Sequence, residues 1–187
     1  MKNAYSILLL WLLTFCTLTA SAQGINHATP VVRMDSTVRV FDDPAYLLTL
    51  RIFDADKDNE EERNATLILK HVRAGDTTTL LVDSLFCGQL RLQLQDFNKD
   101  GVKDVLVFHT SSARSNWSHY LYLVDKAHHW LIPVKGFSQL LNPEVDAKTG
   151  VITSAALYGS KVFYSFYKIR RNGVLQKAGH SYESGAE

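Results

Sequence analysis

Short runs in which apolar and polar residues alternate dominate this chain and constrain its fold more than any other feature. Alternation with a period of two is typical of strands with one buried face. No window shows a helical apolar face, and 137–141 forms at most one turn before Pro143. The sequence therefore predicts an all-β domain, either an antiparallel sandwich or a partly propeller-like β-meander. The predicted strands are 46–53, 65–72, 77–84, 90–95, 105–110, 119–124, 130–134, 151–157, 161–169 and 174–180.

Turn signals separate these runs. The pair Asn172-Gly173 is the strongest hairpin signal, and Gly75 and Gly159 mark two further turns. One run differs from the others, because 105–108 reads Val-Leu-Val-Phe without any polar residue. A continuous apolar run of this length predicts a strand that is buried on both faces.

The segment Asp96–Asp104 lies between two predicted strands and has the spacing of a calcium loop. Oxygen-bearing side chains stand at its first, third, fifth and ninth positions, and Gly101 stands at the sixth, where the chain must turn with positive φ. Hard cations such as Ca²⁺ take oxygen ligands from this kind of turn. The predicted ligands are Asp96, Asn98, Asp100, Asp104 and the backbone carbonyl of Val102.

The match to an EF-hand loop is partial. The twelfth position, where an EF-hand has a bidentate glutamate, is Val107, so Asp104 is expected to bind the ion directly. The flanking segments are strands instead of helices. The alternative is a polar hairpin that contains Asp and Asn because these residues favour turns.

An earlier segment repeats this arrangement. The alternating run that begins at Leu48 leads into an acidic loop, as does the run that begins at Leu90. A second, weaker metal site is one interpretation, and a solvated loop of like charges is the other. The candidate ligands are Asp54, Asp56, Asp58 and Glu62.

Residues 1–22 have the pattern of a secretory signal peptide. Lys2 precedes an apolar core, and Ala20-Ser21-Ala22 offers a cleavage site. The apolar core is too short for a membrane span. We therefore expect a mature single β domain of residues 23–187, exported to the periplasm or to the extracellular space.

The composition of this mature chain excludes several function classes. The chain has 20 basic and 19 acidic residues, and Lys2 is the one charged residue of the signal segment, so the mature domain is close to neutral. This balance gives no reason to expect a nucleic-acid partner. Cys87 is the single remaining cysteine, which excludes an internal disulfide and suits a small apolar role in or near the core. No motif indicates catalysis, so we do not expect an enzyme.

The loop 110–118 is a second candidate for function, because it follows the run 105–108 and has no core pattern. It contains Arg114, Asn116 and Trp117. Arg and Trp are enriched at the energetic centres of interfaces, and function is often located on loops. The alternative is an ordinary surface loop whose tryptophan packs on the sheet.

From Asp96 onward the sequence resembles a family of exported bacterial calcium-binding proteins that are similar to periplasmic lysozyme inhibitors. Some members of this family act as immunity proteins against peptidoglycan hydrolases that rival bacteria deliver by type IV secretion. The resemblance covers about half the chain, from Leu90 to Ile169. It is carried by Asp96-Phe97-Asn98-x-Asp100-Gly101-x-x-Asp104, then Asn116, Tyr120-Leu121-Tyr122-Leu123, Leu140-x-x-Pro143-x-Val145-Asp146, Gly150-x-Ile152-x-Ser154 and Gly159.

The resemblance implies a calcium-binding protein that binds and inhibits a cell-wall lytic enzyme, a peptidoglycan hydrolase or lysozyme-like protein. It implies calcium as the cofactor, held by the loop ligands given above. The alternative is a calcium-dependent adhesion or glycan-binding module without inhibitory activity.

Overall fold

The computed structural model describes residues 32–53, 63–112 and 115–185. These residues form an all-β structure, as predicted, with one turn of 3₁₀ helix at Phe137–Gln139. The strands are β1 (Val32–Val38), β2 (Tyr46–Phe53), β3 (Ala65–Arg73), β4 (Asp76–Leu85), β5 (Leu92–Gln95), β6 (Asp104–Ser111), β7 (Trp117–Asp125), β8 (Trp130–Pro133), β9 (Glu144–Val145), β10 (Ile152–Tyr158), β11 (Lys161–Ile169), β12 (Leu175–Lys177) and β13 (Tyr182–Gly185).

Within the described residues the strands form three antiparallel sheets, each built from strands that are consecutive in the chain. The first sheet has the order β1-β2-β3-β4, and the central sheet has the order β5-β6-β7-β8. The third sheet has the order β12-β11-β10-β9, and β13 pairs with the other end of β11. Apart from β13, each sheet is thus an up-and-down meander, which agrees with the predicted β-meander domain.

The central sheet is covered on both faces, as the apolar run of β6 predicts. Val105 and Val107 pack with the first sheet, whereas Leu106 packs with the third sheet. In β7, Tyr122 lies in the core of the first sheet and Leu121 in the core of the third. Because successive side chains of a strand point to opposite faces, a strand between two cores must be apolar at almost every position.

Two separate cores result from this stacking. The core on the first-sheet side consists of Val40, Phe41, Leu48, Leu50, Ile52, Ala65, Leu67, Leu69, Leu85, Cys87, Val105, Val107, Tyr122, Val124 and Leu131. The core on the third-sheet side consists of Phe97, Leu106, Leu121, Leu123, Val134, Phe137, Leu140, Ile152 and Ile169.

Cys87 takes the core position that the sequence predicts. Its side chain is buried among the residues of the first core. Burial raises the pKa of its thiol to about 11, above the ordinary value of 9.0, so the thiol is protonated at neutral pH.

The alternating pattern of the sequence does not predict three of the observed strands, which are β1, β9 and β13. All four residues of β13 are exposed, and β9 has only two residues, so neither carries an alternating apolar pattern. Their pairing depends on backbone hydrogen bonds, which leave no trace in side-chain polarity.

The hairpin between β11 and β12 turns at Asn172-Gly173, as predicted. Gly173 has a φ of 77°, and a Cβ atom at this position would lie 2.8 Å from Cγ2 of Ile132. Gly159, in the hairpin between β10 and β11, has a similar φ of 65°. A Cβ atom added at Gly159 would have no atom of the described residues within 4 Å. A substitution at Gly159 therefore introduces backbone strain alone, whereas a substitution at Gly173 introduces both backbone strain and steric overlap.

We expect Gly173→Ala to destabilise the protein more than Gly159→Ala. The strain of a left-handed alanine costs about 1 kcal/mol at either site, and overlap with β8 adds roughly 1–3 kcal/mol at Gly173 alone. Chemical denaturation of the two variants measures this difference. Equal losses of unfolding free energy would show that the hairpin does not pack against β8.

Candidate functional site

The acidic loop connects β5 to β6 and is anchored at its second position. Phe97 is buried in the third-sheet core, where its ring contacts Phe137 edge to face at a centroid distance of 5.4 Å. The side chain of Asp96 turns into the loop and accepts hydrogen bonds from the backbone N–H groups of Lys99 (2.7 Å) and Gly101 (3.0 Å). The buried ring of Phe97 and the carboxylate of Asp96 thus determine the path of the loop.

Asn98 and Asp100 face each other in the middle of the loop. Asn98 Nδ2 donates to Asp100 Oδ2 at 2.8 Å, and the Asn98 side-chain oxygen accepts from the Asp100 backbone N–H. Asp100 Oδ1 accepts from the backbone N–H of Val102 at 2.8 Å. Gly101 has a φ of 86°, so the sixth position adopts the left-handed turn that the sequence predicts.

Asp104, the first residue of β6, is fully buried. Its carboxylate accepts one hydrogen bond from the backbone N–H of Phe97 (2.8 Å) and one from that of Val124 (3.1 Å). It therefore links the acidic loop to β7. Burial raises the pKa of Asp104 from 3.8 to about 6; the two hydrogen bonds oppose this shift, and the negative charges of Asp100 and Asp96 add to it.

The donor set of this loop suits a hard cation. Three carboxylates, one side-chain amide oxygen and the Val102 carbonyl are the oxygen ligands that Ca²⁺ prefers. The ion pairs of the described residues join Lys126 to Asp42, His128 to Asp125 and Lys161 to Glu183, so none of them neutralises the loop.

The carboxylates of the loop are engaged with backbone amides in this structure. Across residues 32–53, 63–112 and 115–185, no three His, Cys, Asp or Glu side chains converge as ligands of one metal ion. Each carboxylate oxygen has two lone pairs, so an oxygen that accepts an N–H can also bind a cation. Closure of the loop on an ion would therefore retain the hydrogen bonds that shape it.

The predicted second site cannot be placed. Asp54, Asp56, Asp58 and Glu62 lie outside the described residues, as does Arg114 of the loop 110–118. The signal peptide predicted at residues 1–22 also lies outside them.

The described part of the loop 110–118 joins β6 to β7, and its two predicted contact residues differ in exposure. Trp117 is 44% exposed, whereas Asn116 is buried. The Asn116 side chain accepts from the backbone N–H of Leu157 (2.8 Å) and donates to the Leu157 carbonyl (3.0 Å). Asn116 thus pairs with β10 as a strand residue would, and this pairing positions the loop.

Asn142 completes this support, although no motif in the sequence marks it as a functional residue. Its side-chain oxygen accepts from the backbone N–H of Trp117 at 2.9 Å, and its own backbone N–H donates to the Trp117 carbonyl at 2.8 Å. Its amide also donates to the Ala155 carbonyl. Trp117 therefore projects from a backbone that is held on both sides by residues distant in sequence.

The acidic loop and the loop 110–118 lie at opposite ends of β6, which begins at Asp104 and ends at Ser111. A strand of this length spans about 25 Å at 3.3 Å per residue. A cation bound by the acidic loop would consequently act on the second loop through the central sheet and not by direct contact.

Arg91 is another residue that sequence reasoning did not select. It immediately precedes β5, and its guanidinium lies over the Trp117 ring, 5.6 Å from the ring centroid. As one polar position in an alternating run, it carries no signal of function in the sequence.

Comparison of the chain with protein-family models, with curated proteins and with solved structures finds no match. The helical structure in the described part of the chain is a single turn at Phe137–Gln139, and it could not span a membrane.

In calcium-free buffer, we expect Asp104 to favour the folded state most at low pH. Its folded-state pKa of about 6 lies above the ordinary 3.8, so between these values the folded protein binds more protons than the unfolded chain. The contribution of Asp104 to the free energy of unfolding therefore falls as the pH rises through this window. The difference between the two pKa values corresponds to about 3 kcal/mol.

Thermal melting of the wild type and of Asp104→Asn at pH about 4.5 and about 7.5 measures this effect. His119 titrates with the opposite sign, because its pKa is lowered to about 4, but it is present in both proteins and cancels in the comparison. The melting temperature of the wild type relative to the variant should be higher at the lower pH. The same difference at both pH values would contradict the assigned pKa.

Proposed function

We propose that this protein is an exported, non-enzymatic, calcium-binding protein that binds and blocks a cell-wall lytic enzyme. The lytic enzyme is a peptidoglycan hydrolase or a lysozyme-like protein, and the loop between β6 and β7 is the contact surface. The family resemblance supports this class of partner, and the predicted signal peptide supports export to the compartment where such enzymes act.

The exposed indole of Trp117 on a fixed backbone is the observation that carries this proposal. Tryptophan is among the residues that contribute most to interface energies, especially where it is already held in its bound orientation. The hydrogen bonds of Asn116 and Asn142 hold the backbone on either side of the contact residue, so little ordering entropy remains to be lost.

Calcium has a structural role in this proposal. It would be bound by Asp96, Asn98, Asp100, Asp104 and the Val102 carbonyl. The positive charge would offset the mutual repulsion of the three carboxylates and favour the ionised form of buried Asp104. Since Asp104 joins the loop to β7, binding would stabilise the central sheet from which the contact loop extends.

An inhibition assay with matched tryptophan variants tests the proposal. Trp117 and Trp130 have similar exposure, 44% and 40%, but Trp130 pairs with Asp125 at the opposite end of β7. The protein should inhibit at least one enzyme in a panel of peptidoglycan hydrolases. Trp117→Ala should weaken that inhibition by roughly 30-fold, which corresponds to the 2 kcal/mol of a strong contact residue, while Trp130→Ala leaves it unchanged.

Two results would contradict the proposal. The first is the absence of inhibition across the panel in saturating calcium. The second is an equal loss of inhibition in both variants, which would mean that the end of the sheet at Trp117 is not the contact surface. Circular dichroism of each variant should be used to check that the all-β fold is retained.

The double variant Asp96→Ala, Asp100→Ala tests whether calcium affects the stability of the protein or its affinity for the enzyme. Because the two loops lie at opposite ends of β6, we expect this double variant to melt at a lower temperature in calcium but to inhibit normally well below its melting temperature. A loss of inhibition by the fully folded variant would show that the acidic loop contacts the enzyme.

A further inference from the structure

A groove of about 380 Å³ opens beside Trp117, on the face of the central sheet that the third sheet covers. The third sheet packs on the middle of this face, at Leu106 and Leu121, but the part near edge strand β5 borders the groove instead. The cross-strand pairing of Gln93 with Leu106 places both side chains on the same face. The lining residues used below are Arg91, Gln93, Gln95, Trp117, His119 and Glu144.

Arg91 presents a fixed cation at one wall of this groove. Its guanidinium lies over the Trp117 ring, and the Gln93 amide, with its oxygen toward Arg91, accepts from Nε (2.9 Å) and from one terminal nitrogen (2.7 Å). The other terminal nitrogen of the guanidinium takes no part in these contacts. None of the ion pairs in the described part of the chain involves Arg91.

His119 forms part of the groove lining and has an unsatisfied polar atom. The residue is 7% exposed, and its buried Nδ1 has no hydrogen-bond partner among the described residues. Burial lowers the pKa of His119 to about 4, and the positive charge of Arg91 contributes to this shift, so the imidazole is neutral at pH 7. An unpaired buried polar atom is unfavourable, so a small shift of the ring that brings Nδ1 to a hydrogen-bonding ligand in the groove would be favourable.

We propose that this groove binds a monosaccharide that carries a carboxylate, such as a uronic acid. Arg91 would pair with the carboxylate, because guanidinium groups recognise carboxylates with charge-assisted hydrogen bonds. The exposed indole of Trp117 offers an apolar surface for the C–H groups of the sugar ring. Neutral His119, the Gln95 amide and the Glu144 carboxylate would bind hydroxyl groups, which can donate or accept.

The volume and the charges of the groove favour this ligand over simpler ones. Sites for small molecules generally start at about 300 Å³, so one sugar ring fits where a bare carboxylate would leave most of the groove empty. Glu144 also lines the groove, but it forms no ion pair with Arg91, so a neutral sugar would leave the Arg91 guanidinium without a carboxylate at ion-pair distance among the described residues. This site does not depend on the proposed inhibition of a lytic enzyme, although both involve Trp117.

Glucuronate and glucose form a matched pair of probes, since they differ only at C6, which is a carboxylate in glucuronate and a hydroxymethyl group in glucose. NMR titration of the wild-type protein should show millimolar binding of glucuronate, with shifts at the Trp117 indole N–H and the His119 ring. Glucose should bind at least about tenfold more weakly, because it lacks the charge-assisted contact. Acetate, which has the carboxylate without the sugar ring, should give no comparable shift at the same concentration.

Arg91→Gln should remove the preference for glucuronate over glucose. Arg170→Gln is the matched control, because Arg170 is also held by a glutamine, with Nε donating to Gln176 at 3.0 Å, but lies in the hairpin between β11 and β12. This control should bind glucuronate as the wild type does. Circular dichroism and thermal melting show whether each variant retains the fold.

Several outcomes would overturn the proposal. They are the absence of glucuronate binding, equal binding of glucuronate and glucose, retention of the preference in folded Arg91→Gln, and an equal response to acetate. Binding of a short blocked peptide that contains glutamate, without binding of glucuronate, would assign the groove to a protein side chain and would also overturn it. None of these outcomes depends on inhibition of an enzyme.

Discussion

A strand buried on both faces has no water with which to satisfy a polar side chain, yet β6 begins with the fully buried carboxylate of Asp104. Two backbone N–H groups, from Phe97 and Val124, provide the partners that water would otherwise provide. Through them the side chain fixes the acidic loop and the neighbouring strand β7 relative to β6. The position of the central sheet between two cores therefore explains both the apolar sequence of β6 and the polar contacts at its start.

The buried position of Asp104 makes ionisation of its carboxyl group unfavourable, and a bound cation would offset this effect. The pKa of Asp104 is raised by burial and by the charges of Asp100 and Asp96, so ionisation at neutral pH opposes folding. Calcium in the loop would reverse this effect by favouring the ionised carboxylates. The metal would thus stabilise the sheet, while recognition would take place at the other end of β6, near Trp117.

The sequence predicts the parts of the structure that depend on local pattern. The run 105–108 indicates a doubly buried strand, Gly101 indicates a left-handed turn, and Asn172-Gly173 indicates a hairpin, and the structure confirms all three. The calcium ligands and the contact residues of the loop 110–118 stay predictions. Strands such as β13, whose residues are all exposed, have no alternating apolar pattern, so the sequence does not predict them.

The residues around Trp117 could not be selected from sequence for a different reason. Asn142 supports Trp117 from 25 positions away, and Asn116 pairs with Leu157 from 41 positions away. These contacts exist only after the third sheet packs against the central sheet. Arg91, which immediately precedes edge strand β5, likewise meets Trp117 of β7 only when β5, β6 and β7 pair, so it becomes part of a groove only in the folded protein.

Calorimetric titration of residues 23–187 with calcium, followed by thermal melting, shows whether the acidic loop holds a stabilising cation. The wild type and Asp76→Ala, which alters an acidic residue in another hairpin, should bind calcium, while Asp96→Ala, Asp100→Ala should not. At about 100 times the dissociation constant, binding should stabilise the fold by about 2.7 kcal/mol, or roughly 5–10 °C for a domain of this size. If millimolar calcium gives no heat of binding and no change in melting temperature, the loop is a polar hairpin and not a calcium site.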